Sequence, residues 1–379
     1  MSENVLGTFA LPYSLVPDFL VDEKTYQVPF VTEEPSVVAA ASLAAQIIKR
    51  TGGFHTTIEN RQMIGQVALY DLPDKQVAIE KIQEKRETLL ALANKAHPSI
   101  VKRGGGACDV RVTLFEEASE FLVVYLIADT KEAMGANILN TMLEALKGEL
   151  ESLTGGNSLM AILSNYATES LVTSSCTIDF HHLSRNKIEA EKIAKKIVLA
   201  SQFAKIDIYR ASTHNKGIFN GIDAVLLAAG NDWRAIEAGA HAYASHTGQY
   251  KGLTTWSIIE EKCQLYGELT LPMPVATKGG SIGLNPTVMA TFDILGQPNA
   301  KELASLIASV GLAQNFAALK ALVSDGIQSG HMKLHAKSLA LMAGAREAEV
   351  TSVVNHLVKS KQFQLQKAQE MTGERLKPE

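Results

Sequence analysis

The sequence predicts an α+β protein, in which a larger mixed body of helices and sheet is interrupted by a small module and followed by a helical tail. Three observations predict it. The chain has 379 residues, more than twice the roughly 150 expected of one domain. One stretch, from about residue 64 to residue 163, switches repeatedly between strand and helix periodicity. Hydrophobic residues make up 46% and charged residues 20%, which is ordinary globular usage and excludes disordered, collagenous and coiled-coil chains.

The elements follow in order. Pro35 sits where a first helical turn tolerates it, and the Ala-rich run Val37 to Lys49, stopped at Gly52-Gly53, predicts a tightly packed helix. Ile64 to Leu72 alternates as a strand, Asp74 to Ala96 has helical period, and Asp109 to Leu114 and Phe121 to Ala128 read as strands. A helix from about Met134 to Leu153, ending at Gly155-Gly156, and a strand from Leu159 to Leu163 complete the order β-α-β-β-α-β, a ferredoxin-like module. Beyond it come a strand (Leu171 to Phe180), a helix (about Lys187 to Ala204), a Gly/Asn-rich stretch with a helix near Ala235, and a hairpin across Thr254 to Leu271. Three helices are predicted next, near Lys301 to Val310, Gln314 to Val323 and Lys333 to Ala343. A last amphipathic helix carries Val350, Val353, Val354, Leu357 and Val358 on one stripe.

Thirty-six Lys and Arg against 40 Asp and Glu leave a formal charge of -4, so nothing points to nucleic acid or an anionic membrane. A small-molecule partner is expected. Cys108, Cys176 and Cys263 fit neither a disulfide framework nor a zinc ribbon, and read as buried small apolar residues in a reducing compartment. The longest clean apolar run, Phe121 to Ala128, is far short of the roughly 20 residues of a membrane span, and no signal pattern opens the sequence. The expectation is a cytoplasmic protein.

Chemistry is expected first in Tyr209 to Asp223, a polar, Gly-punctuated segment that reads as a site loop. Its centre is Lys216, which among Asn215, Gly217 and Asn220 either holds a developing oxyanion or is simply solvated. Asp232, in Gly230-Asn-Asp-Trp-Arg234, is a partner for it or a helix cap. Glu33 and Glu34 stand at the mouth of an apolar helix, where the dipole favours the ionised form. His331 and His335 share a face if helical, but Met332 replaces the glutamate of a zinc-protease HExxH, so one acid–base histidine beside a structural one is expected and no metal is assigned. Gly104 to Gly106 and Gly279 to Gly283 match neither a Rossmann fingerprint nor a P-loop. Glu132-Ala-Met-Gly-Ala-Asn137 opens a helix directly after a strand, either as a capped start or to aim free N–H groups at an anion such as a pyrophosphate.

Taken together, the words Glu3-Asn-Val-Leu-Gly7, Glu33-Glu-Pro-Ser-Val-Val-Ala-Ala-Ala-Ser42, Met134-Gly-Ala-Asn137, Thr213-His-Asn-Lys-Gly217, Gly230-Asn-Asp-Trp-Arg-Ala235 and Gly330-His-Met332 resemble the 3-hydroxy-3-methylglutaryl-CoA reductase family of the soluble bacterial (class II) type. The resemblance runs to about Ala345. It implies a four-electron reduction of the thioester to mevalonate and free CoA with two nicotinamide cofactors in turn, by a homodimer with a shared active site. It further implies catalytic roles for Glu34, Lys216, Asp232 and His331, and substrate contacts for Ser36, Arg210, Asn165, Asn220 and His335. Lys216 would gather the oxyanion in a dry site, His331 would protonate the CoA thiolate, and Glu34 would protonate the new alcohol, with Asp232 close to both Glu34 and Lys216. Glu132, Met134, Gly135 and Asn137 match the cofactor helix start, Glu132 standing where an aspartate is common.

The implied organisation is a large domain in two parts (1–60 and 167–325), a nicotinamide-binding domain (61–166) and a C-terminal flap (326–379). His97 stands where NADH-using relatives place an acid, and with Lys102 and Arg103 nearby it would accept a 2′-phosphate, so NADPH is expected to serve at least as well as NADH. Relatives usually carry some tens of residues before the Glu-Asn-Val word, in a region that helps to build the dimer, so CoA affinity is expected to depend on it. Two alternatives stay open on the sequence: the same site oxidising mevalonate, and a non-catalytic dimer that binds CoA esters. A hydrolase built on Ser36 or Ser212 lacks a G-x-S-x-G elbow.

Overall fold

Two strands to which the sequence patterns gave no signal open the fold. β1 (Tyr13–Val21) and β2 (Lys24–Val31) form an antiparallel hairpin turned at Asp22 and Glu23, both with positive φ. Pro17 and Pro29 interrupt the runs, and the turn carries no glycine, which hides the pair from strand patterns. The prolines are tolerated because β2 is a sheet edge and β1 shifts register between Val16 and Phe19. The computed structural model describes residues 3–115, 120–280, 282–324, 336–360 and 362–372.

Next come α1 (Val37–Lys49), β3 (Phe54–Thr57) and β4 (Gln62–Tyr70). The helical stretch expected over 74–96 is two helices, α2 (Lys75–Glu84) and α3 (Arg86–Ala96), broken at Lys85 where Arg86 turns to pair with Asp109 at 2.8 Å. A short α4 (Pro98–Lys102) leads to β5 (Gly106–Leu114), β6 (Leu122–Asp129), α5 (Ala136–Thr154) and β7 (Asn157–Ser164). The remaining elements are β8 (Leu171–Asp179), α6 (Phe180–Leu183), α7 (Lys187–Ile206), α8 (Ile208–Ala228), α9 (Trp233–Ala244), β9 (Thr254–Ile259), β10 (Gln264–Pro272), α10 (Pro286–Leu295) and α11 (Ala300–Val323). Helical residues 336–342 (α12), α13 (Glu347–Ser360) and α14 (Leu365–Met371) carry a small core of their own around Leu339, Val353 and Leu357.

The strands make two sheets. One has the order β2-β1-β3-β8-β10-β9, the other β5-β6-β4-β7, and the second is antiparallel throughout. Each sheet has its own hydrophobic core, with α1, α8 and α11 in the first and α3 and α5 in the second. Met134 packs against both. The seam between them is polar. Arg61, deeply buried, donates to the carbonyls of Val275 and Ala133, while Glu132 accepts from Thr277 Oγ1 at 2.6 Å and from the Ala300 N–H at 2.8 Å.

Two helices differ from the sequence reading. Tyr209 to Asp223 is not a loop but the heart of α8, capped by Asp207, whose side chain accepts from the Arg210 N–H. Ala211, His214, Asn215, Ile218, Phe219 and Ile222 are buried at helical spacing, and the two polar ones find partners inside, so polarity there marks a satisfied buried network. The helices expected at 301–310 and 314–323 are one, α11, which runs through Gly311 because Ile218 and Ile222 of α8 press on it; an added Cβ would lie 2.8 Å from Ile222 Cδ1. α11 is long and apolar enough to cross a bilayer, yet 72% of its most apolar stretch is buried inside the protein, as in a central core helix.

Candidate active site

The β2–α1 connection meets the middle of α8 at an ion pair, Lys216 Nζ to Glu34 Oε2 at 2.6 Å. Both partners are fixed from behind. Ser36 starts α1 in the left-handed region at φ 75°, an unfavourable conformation for a non-glycine residue. Gln314 of α11, buried, donates to the Val37 carbonyl at 2.7 Å and fills the space above Gly221 of α8, so one amide ties the Glu34 segment to the helix of Lys216. The residues just before Lys216 lock α8 in rotation. His214 Nε2 lies 2.6 Å from Thr254 Oγ1, and Asn215 bonds the Lys251 carbonyl and the Leu253 N–H. Burial, with Arg210 and Lys205 near, pushes the His214 pKa down to about 3, so this imidazole is a neutral structural group.

Asn220 follows Lys216 by one turn on the same face. Arg210, half-buried, has its pKa lowered by burial, and among the described residues no carboxylate pairs with its guanidinium, which leaves an anion-ready cation. Lys216 and Glu34 are not in a dry site within one chain: their side chains are 61% and 38% exposed. Asp232 is the clear departure from the expected constellation. It caps α9, accepting from the Arg234 and Ala235 N–H groups, and pairs with Arg234 at 3.1 Å. α9 runs back along α8, with Phe219 and His241 rings 5.2 Å apart, so Asp232 lies at the far end of α8. At 1.5 Å per residue, about 18 Å of helix axis separates Lys216 from Ala228.

The candidates therefore fall into two groups. Glu34, Ser36, Lys216 and Asn220 form one. Asp232 belongs with the other, beside the small sheet: Asn231 bonds the Ala276 backbone, whose neighbour Thr277 bonds Glu132, and a Cβ on Gly239 of α9 would lie 2.3 Å from the Asn165 carbonyl oxygen. α5 begins at Ala136, two residues later than expected, with Gly135 at φ 103° as its cap; a Cβ there would meet Thr130 Cγ2 at 2.3 Å. Among the described residues no side chain caps this start, and Asn137 in its first turn is exposed. Glu132, by contrast, spends its carboxylate on Thr277 and α11. His97 Nδ1 lies 3.2 Å from Ser99 Oγ, and Lys102 and Arg103 are exposed just beyond. Lys131, which sequence reasoning missed, lies along Gly104 and pairs with Asp129 at 2.9 Å.

His331 and His335 lie outside the described residues. Of the cysteines only Cys176 is buried; Cys108 and Cys263 are exposed, Cys263 because it turns the β9–β10 hairpin at φ 49°. Sequence reasoning also missed a carboxyl pair on α8 and α9. Burial, and then Glu237, pushes the Asp223 pKa up to about 8, and among the described residues the buried Asp223 Oδ1 has no hydrogen-bond partner. Only the folded pairing of the two helices reveals it.

The hydroxymethylglutaryl-coenzyme A reductase family profile matches residues 1–336. The 3-hydroxy-3-methylglutaryl-coenzyme A reductase of Archaeoglobus fulgidus is 43% identical over 372 residues, 98% of this chain and 84% of that protein. Among solved structures, the class II 3-hydroxy-3-methylglutaryl-CoA reductase of Streptococcus pneumoniae bound to NADPH in open conformations is 65% identical, with a TM-score of 0.85 over 97% of this chain and 89% of that one. A second Streptococcus pneumoniae structure of the enzyme matches with the same TM-score and identity over 88% of its chain. The chain belongs to the hydroxymethylglutaryl-coenzyme A reductase family.

Proposed function

We propose that this protein reduces 3-hydroxy-3-methylglutaryl-CoA to mevalonate and free CoA, with NADPH as the preferred reductant, in a site shared between two subunits of a homodimer. The observation that carries the reading is the 2.6 Å contact of Lys216 with Glu34, held by buried residues behind it. An ammonium fixed by a carboxylate is what a thioester carbonyl needs while it turns into an oxyanion.

NADPH suits the second group of residues. The α5 start offers free N–H groups to a pyrophosphate, Gly135 takes the positive φ that begins the helix against Thr130, and Lys102 and Arg103, exposed beside His97, offer positive charge to a 2′-phosphate. Met134 and Asn137 flank that start, and we assign residues 61–166 to cofactor binding. The nicotinamide, when bound, supplies hydride once to the thioester and once to the aldehyde. Lys216 holds the oxygen that becomes negative each time, and Glu34 resupplies its proton. His331, from the flap segment 326–379, protonates the departing CoA sulfur. Ser36, Asn220, Arg210, Asn165 and His335 hold the hydroxymethylglutaryl group, with Arg210 facing its free carboxylate.

About 18 Å of helix axis separates Lys216, midway along α8, from the end of that helix where Asp232 stands, so a site that unites the two draws them from different subunits. The same pairing would shield Lys216 from water. Three free cysteines fit a reducing, cytoplasmic setting. The test follows NADPH consumption with the thioester. Wild type should turn over, and Lys216→Ala should lose at least about a hundredfold in kcat, the scale of a lost oxyanion donor. Near-normal turnover in that variant refutes the assignment.

A further inference from the structure

Where β8, an interior strand of the larger sheet, runs into α6, Asp179, His181 and His182 bring three ligand atoms within 4.8 Å of one another. We infer that these three side chains form a surface site for a borderline divalent cation such as Zn²⁺, separate from the substrate and cofactor residues. Asp179 is at the N-cap of α6, yet its side chain makes no capping bond. Instead Gln264 Nε2 donates to its Oδ1 at 2.7 Å, which leaves Oδ2 turned toward His181 Nδ1 at 3.9 Å. This is the arrangement of a ligating carboxylate with an outer partner that fixes its orientation.

The backbone of the cluster is pinned. Gln264 is the register partner of Asp179 across β10 and β8, and the Phe180 N–H donates to the Cys263 carbonyl at 3.1 Å. The two imidazoles stand 3.8 Å apart between ring centres at 52°, a close approach that favours neutral rings sharing a cation over two charged ones. Ligand atoms around tetrahedral zinc lie roughly 3.3–3.6 Å apart given bond lengths near 2.0–2.2 Å. The side chain of His181 is 69% exposed, so a small rotation closes the remaining gap. Consecutive histidines fit no standard metal-ligand spacing, which is why no sequence pattern marks the site.

The test is titration of the chelator-treated full chain with ZnSO₄ by calorimetry, with Co²⁺ absorption as a second readout. Wild type should bind one ion at this site, and the His181→Ala/His182→Ala variant should lose that ion while keeping its NADPH-dependent turnover. Gln264→Ala, which keeps all three ligands, should weaken binding by about 10-fold to 100-fold, the usual effect of losing an outer-sphere partner. Equal binding by wild type and the double histidine variant, or no saturable binding by wild type, overturns the inference.

Discussion

Lys216 owes its position to its neighbours in sequence, and its chemistry to a residue far away in the chain. His214 and Asn215 are the buried anchors that fix the helix, and Glu34 is the partner that the anchored lysine reaches. The word Thr213-His-Asn-Lys-Gly217 therefore mixes buried anchors with an exposed, ion-paired lysine, which periodicity alone cannot separate. Asp223 permits a further test at this scale. Its carboxyl faces Glu237 across the α8–α9 seam, with His241 one turn beyond Glu237 on α9. Its folded pKa of about 8 lies above the ordinary value of 3.8. Its contribution to stability is thus fully present below about pH 4 and lost as pH rises to about 8. Asp223→Asn should flatten that slope, so that urea midpoints of the variant gain on wild type between pH 5 and about 8. Parallel midpoint curves would sink the idea.

At the scale of elements, α8 and α11 decide the site. Gly221 and Gly311 let the two helices approach closely, and Gln314 spans from that contact to the first turn of α1. Gln314→Leu keeps the volume but leaves the Val37 carbonyl without its donor. A loss of about 1–3 kcal/mol in denaturant unfolding is expected, together with lower turnover at unchanged NADPH affinity. Unaltered stability and kcat would mean that the amide holds nothing in place. α8 illustrates why this level is hard to read from sequence: its glycines and polar residues look like loop punctuation, yet Gly217 faces open space and Gly221 faces Gln314. The β-α-β-β-α-β order was legible because alternation and helical period change sharply there. The β1–β2 hairpin was not, because its prolines are permitted only by the edge position of β2 and the register shift within β1, both of which the tertiary structure creates.

At the scale of the whole molecule, one chain keeps the two groups of candidate residues apart. Lys216 and Glu34 meet at the middle of α8, whereas Asp232 and the α5 start lie beyond its C-terminal end, bound to the small sheet through Asn231, Thr277 and Glu132. A homodimer that shares its site predicts complementation. Lys216→Ala and Asp232→Ala chains, each inactive alone, should regain roughly a quarter of wild-type activity when refolded together, because half of random twofold pairs carry one intact site of two. Absence of any recovery from verified mixed dimers would place both residues in a site built from one chain.

The sequence alone determined the family resemblance of this protein, the mixed α+β class and the acidic balance of charge, because these reside in local words, periodicities and composition. Where Lys216 finds its partner, why Asp232 stands apart, and how Asp179 meets His181 were decided only by tertiary structure. Those are contacts between residues tens to hundreds of positions apart, or matters of side-chain direction, and no local pattern encodes either.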